Sequence, residues 1–101
     1  MNAYVSSVIP GYGLAPPVQD DALLHLARVM GIERGVAAWR QACRAAGVVC
    51  DVDRAMPPED LARAAEVLAR ADGPAAPIGR GLAIRARTYL LLTRASAGAA
   101  S

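Results

Sequence analysis

His25 is the only histidine in the chain, and Cys43 and Cys50 are the only cysteines. Any nucleophilic or metal chemistry must therefore be assembled from these three and the nearby carboxylates. A cysteine–histidine pair works when the imidazole takes the thiol proton, which requires hydrogen-bond reach. Helical spacing opposes that meeting. His25 falls with Asp21 and Arg28 on the polar side of one helix, whereas Cys43 shares an apolar stripe with Trp39 on the next. Asp21, one turn before His25, offers it a local ion pair instead. His25, Cys43, Cys50, Asp51 and Asp53 are all ligand types, but no C-x₂-C or H-x₃-H spacing occurs, so no metal is expected. Cys43 reads as a small core residue and Cys50 as a loop thiol. A disulfide between them is within geometric reach but does not suit a reducing compartment. Asp51 and Asp53 would point to opposite sides of an extended segment. Asp20-Asp21 and Glu59-Asp60 are accounted for as helix starts. No catalytic residue and no cofactor are expected, and the protein is read as a non-enzyme.

The remaining chemistry is that of arginine. Gly79-Arg80-Gly81 ahead of the last helix is a candidate anion site, because two glycines let backbone N–H groups converge at a helix N-terminus and Arg80 and Arg85 can close on a phosphate or carboxylate. The ordinary alternative is a loop entering a tightly packed helix. Arg80, Arg87 and Arg94 repeat every seven residues and so share one helix face. From residue 73 onward there are four arginines and no acid. With Tyr89 and Leu91 they make the candidate partner-binding surface, for another protein or for a second copy of the chain; a solvated stripe is the alternative.

Leu26-Ala27-Arg28-Val29-Met30-Gly31-Ile32 resembles the turn of a helix-turn-helix, with an alanine, a glycine four later, flanking apolar residues and then an arginine-bearing helix. The resemblance covers about 20 residues. Ala37 stands where the pattern has a branched apolar residue, and Gly35 weakens the would-be recognition helix. It implies DNA contacts from Arg34, Arg40, Gln41 and Arg44, since arginine bridges guanine edges or phosphates and glutamine reads adenine. Nucleic acid is accordingly the second partner class, with residues 21–46 as the reader.

Four helices must position these groups. The spacing predicts them over about 21–30, 33–46, 58–71 and 80–94. The first has Asp20 or Asp21 as cap and Val18 as a staple. Leu23, Leu26, Ala27 and Met30 face inward on it, as do Val36, Trp39, Cys43 and Ala46 on the second. Leu61, Ala64, Ala65, Leu68 and Ala71 form the stripe of the third, which opens on Pro57-Pro58 and carries Glu66 four residues before Arg70. The fourth is apolar on most sides, through Leu82, Ile84 and Tyr89-Leu90-Leu91-Leu92. Such a helix is either central or keeps a second face for another chain. Residues 48–53 read as a loop or an isolated strand, residues 74–79 as a Pro/Gly linker, and no internal repeat is expected.

The expected architecture is an all-α, small four-helix bundle. Residues 1–19 form an extended N-terminal arm, 20–95 the helical domain and 96–101 a frayed tail. At 101 residues the chain has room for one domain. Alanine fills 23 positions while Leu, Ile and Val together fill 23 more, enough for a modest core and too many for a disordered chain. All eleven basic residues are arginine, and the net charge is +2, too small to demand nucleic acid or a membrane. Residues 1–18 have no basic stretch ahead of a continuous apolar run, so no secretory signal is expected. No apolar run approaches the roughly 20 residues that span a bilayer, and a cytoplasmic location follows as the expectation.

Overall fold

A computed structural model describes residues 17–51 and 55–100, with side chains to residue 95. Four helices follow one another: α1 (Gln19–Met30), α2 (Ile32–Ala46), α3 (Pro58–Ala69) and α4 (Ala75–Ala100). The chain is all-α with four helices, as its periodicity predicts. The arm expected over 1–19 lies outside the described residues up to residue 16.

α1 and α2 are joined by a single residue. Gly31 closes α1 through its N–H to the Ala27 carbonyl at 2.9 Å, and its own carbonyl accepts the Gly35 N–H at 2.9 Å to open α2. Only glycine takes its φ of 88° without strain. At the far end of α2, the Val48 N–H returns to the Cys43 carbonyl at 2.9 Å and the Gly47 N–H to that of Arg44 at 3.2 Å. This is the Schellman arrangement, with Val48 buried beside Cys43. Residues 48–51 then run without regular structure. α3 begins on Pro58, whose missing donor is not needed in a first turn, and Glu59 and Asp60 complement the helix dipole there.

Several boundaries differ from those expected. α1 starts at Gln19, with Val18 at the cap position and no side-chain cap; Asp20 and Asp21 lie inside the first turn, and Val18 is exposed. α3 stops at Ala69, which leaves Ala71 in the turn and exposed. The largest difference is α4, which begins at Ala75 and takes in the residues read as a linker. Pro77 is its third residue, where a backbone N–H has no intrahelical partner to lose, so the proline is tolerated.

The core is built on alanine. Trp39, Leu26, Leu61 and Cys43 are its largest fully buried side chains, and Ala22, Ala64, Ala65 and Ala86 are wholly enclosed around them. Small side chains let the helix axes approach, and two glycines take this to the limit. A Cβ on Gly35 would stand 3.0 Å from the Ala27 nitrogen and 3.0 Å from the Leu26 carbonyl carbon. A Cβ on Gly79 would stand 2.4 Å from the Ala69 nitrogen and 2.7 Å from the Leu68 carbonyl carbon.

Those two contacts are the same contact made twice. Leu26-Ala27-Arg28-x-x-Gly31 reappears as Leu68-Ala69-Arg70-x-x-Gly73, forty-two positions later. Ala22 and Ala64 are buried at matching places, and Gly31 and Gly73 have φ of 88° and 85°. The molecule is therefore two copies of one helical hairpin, α1–α2 and α3–α4, contrary to the expectation of no repeat. Five identities of common type in an alanine- and arginine-rich chain carry little signal. Gly35 follows Gly31 by four positions whereas Gly79 follows Gly73 by six, which puts Gly79 forty-four positions after Gly35 and breaks any fixed-offset comparison.

The hairpins pack α2 on α3 and α1 on α4. Arg63 of α3 lies against the last carbonyls of α2, with Nη2 3.5 Å from the oxygens of both Ala46 and Gly47, a cation at the negative end of the helix dipole.

Candidate interaction surface

α4 has 26 residues and α3 has 12. At 1.5 Å per residue they are about 39 Å and about 18 Å long, so α3 cannot cover α4 along its whole length. Leu82, Ala83 and Ala86 face the core. Next to this buried arc, on the flank that borders α3, Arg80, Ile84, Arg87, Leu91 and Arg94 fall within an arc of about 80° at helical periodicity, and all five are exposed. Ile84 and Leu91 each keep 65% of their surface in water. Beside them run Gly81, Thr88 and Ala95, also exposed. Gly81, Ile84, Thr88, Leu91 and Ala95 alternate at three and four residues, the spacing by which one helix presents a seam to another.

Two charges fasten this helix to the rest of the molecule. Arg85 pairs with Asp21 of α1 at 3.5 Å, and Arg87 pairs with Glu66 of α3. Asp21 and Glu66 thus reach across to α4, and not to His25 and Arg70 on their own helices. Exposed pairs of this kind contribute about 0–1 kcal/mol each, and their effect is to set the rotation of α4. Arg80 and Arg94 pair with no acid among the described residues.

Of the expected partner surface, Arg80, Arg87, Arg94 and Leu91 share a face. Tyr89 does not: it is half-buried on the opposite side, where its carbonyl accepts the Thr93 hydroxyl at 2.8 Å. Ile84 replaces it on the face. The signal was present, since Ile84 and Leu91 are seven apart like the arginines, but apolar residues at 82, 89, 90 and 92 hid it. The candidate anion loop is not a loop. Gly79, Arg80 and Gly81 lie within α4 past its first turn, where backbone N–H groups are consumed by the helix, and Arg85 is engaged with Asp21.

On α2, Arg34, Arg40, Gln41 and Arg44 are exposed. The link ahead of them is one residue, where a helix-turn-helix uses three or four.

His25 is exposed while Cys43 is fully enclosed, so the two do not meet. Among the described residues no three His, Cys, Asp or Glu side chains are gathered as a metal site would need. No described helix is long and apolar enough to cross a membrane. A cleft of about 490 Å³ lies where the hairpins meet, between Met30, Ala38 and Ala42 on one side and Val67, Arg70 and Asp72 on the other.

The buried polar contact that sequence reasoning missed is Gln19. It is 4% exposed, accepts the Trp39 indole N–H on Oε1 at 2.7 Å and donates Nε2 to the Asp51 carbonyl at 3.2 Å. Cys50 Sγ lies 3.5 Å from the same Oε1. One side chain thus ties the start of α1 to α2 and to the loop beyond it. Nothing in the type or spacing of Gln19 marks it, because the contact is made across 20 and 32 positions.

Compared with family models, curated proteins and solved structures, the chain matches none.

Proposed function

We propose that this protein is a small, non-catalytic interaction module that docks an acidic, amphipathic helix of another protein on the outer face of α4. The observation that carries it is the exposed seam of Ile84 and Leu91 among Gly81, Thr88 and Ala95, flanked by Arg80, Arg87 and Arg94. Small residues let a second backbone come close, large ones at alternate positions fill its grooves, and flanking charges select the partner's sign. A second copy of α4 is a poor occupant. Neither copy has an acid after residue 73, so pairing the two faces brings arginine against arginine.

The test is titration of the full chain with a helical peptide that carries leucines at seam spacing and glutamates on its flanks. Saturable one-to-one binding is expected, weakened about tenfold or more by Ile84→Asp or Leu91→Asp. Absence of binding, or binding by both variants as tight as that of the wild type, overturns the proposal.

The exposed Arg34, Arg40, Gln41 and Arg44 keep a second function in view, a DNA-binding regulator. Its mark is affinity for random duplex DNA that falls steeply with salt as phosphates are neutralised. No binding at low salt removes it.

A further inference from the structure

We infer that Cys43 and Cys50 form a reversible dithiol–disulfide site, which a peroxide enters at Cys50 and Cys43 closes. The inference is independent of the docking face. The chain has two cysteines, seven positions apart, and the fold brings them to one place. The Schellman turn at Gly47 folds residues 48–50 back over the end of α2, held by the Val48 N–H on the Cys43 carbonyl. Trp39 and Cys43 are one turn apart on the buried face of α2. Gln19 Oε1 touches the Trp39 indole and the Cys50 thiol together, and Cys50 packs against the buried cluster that holds Trp39 and Cys43.

The two sulfurs are not equivalent. Cys50 is part-exposed, whereas Cys43 is fully enclosed. Burial, and then the neighbouring Cys50, push the Cys43 thiol from 9.0 up to about 12, which keeps it protonated at neutral pH and so a poor first target. An oxidant therefore meets Cys50 first. The Cys50 thiolate attacks one peroxide oxygen; the S–O bond forms, the O–O bond breaks and water leaves once protonated, giving a sulfenic acid. The Cys43 sulfur then attacks the Cys50 sulfur; the S–S bond forms, the S–O bond breaks and a second water leaves. Two thiols and one peroxide become one disulfide and two waters, with both thiols oxidised and the peroxide reduced. The second step needs only motion of residues 48–50, which the Val48 N–H already holds to the Cys43 carbonyl and which carry Cys50 against the buried cluster around Cys43.

The experiment treats the full chain with hydrogen peroxide and follows intact mass together with the fluorescence of Trp39, the only tryptophan. The expected result is loss of two hydrogens within a single chain and a change in Trp39 emission, both reversed by dithiothreitol. Cys43→Ser should stop at one added oxygen on Cys50 that dimedone traps, and Cys50→Ser should react roughly 100-fold more slowly than wild type. Wild-type protein that gains oxygen without losing two hydrogens overturns the inference, as does a disulfide between two chains. So does Cys50→Ser reacting as fast as Cys43→Ser. The wild-type mass readout holds whether or not either variant folds.

Discussion

Gln19 sits where three segments converge, and its removal is the most informative single change in the core. Gln19→Ala leaves the Trp39 indole N–H enclosed without its acceptor. An orphaned buried donor costs about 1–3 kcal/mol, so the unfolding free energy from urea melts should fall by that much, with Trp39 emission altered in the folded state. Cys43 has a different signature. Its thiol is held protonated by burial, up to about 12 in the folded chain against an ordinary 9.0. Above pH 9 the unfolded state releases this proton first, so the stability that the protonated thiol supports is lost as pH rises toward 12; below pH 9 the group adds no slope. Denaturation measured across that window should show the decline, and Cys43→Ala should flatten it.

Helix pairs in this molecule are set by glycine contacts more than by large side chains. Gly79→Ala puts a methyl 2.4 Å from the Ala69 nitrogen, whereas Gly35→Ala meets backbone at 3.0 Å. The first must push α4 off α3 and should cost about 2–3 kcal/mol, and the second should cost about 1 kcal/mol; equilibrium urea melts of both variants check the order. This is also where sequence reasoning reached its limit. Four helices and their inward stripes at Leu26, Trp39, Cys43, Leu61 and Leu68 were legible, because a period of 3.6 is a local property. Glycine and proline at 74–79 read as a linker by local propensity, which charges Gly79 about 1 kcal/mol. Propensity does not register that the missing Cβ is what lets α4 reach α3. The outer face of α4 was half legible: heptad spacing found the arginines and the apolar run supplied Leu91, but the rotation that exposes Ile84 and turns Tyr89 inward follows from contacts with α1 and α3.

The molecule as a whole is a doubled hairpin whose longest helix overreaches its neighbours. Its principal extents are 43 × 27 × 21 Å, so α4 runs nearly the full length. An alanine core buries limited apolar area per helix, at about 25 cal/mol per Å², and the apolar surface left exposed includes the Ile84–Leu91 stripe of α4 as well as Leu24 and Val29 on α1, Ile32 on α2 and Val49 in the loop beyond it. Because Arg80 and Arg94 on that stripe pair with no acid among the described residues, the isolated chain should remain monomeric, and sedimentation at rising concentration checks this directly. The sharpest test is a charge-reversal cycle, in which the double variant Arg80→Glu/Arg94→Glu and wild type are each titrated with a glutamate-flanked peptide and a lysine-flanked peptide of the same seam. The expected outcome is a crossed preference, each protein binding the oppositely charged peptide at least about tenfold more tightly. Identical affinities in all four pairings would contradict a docking face on α4.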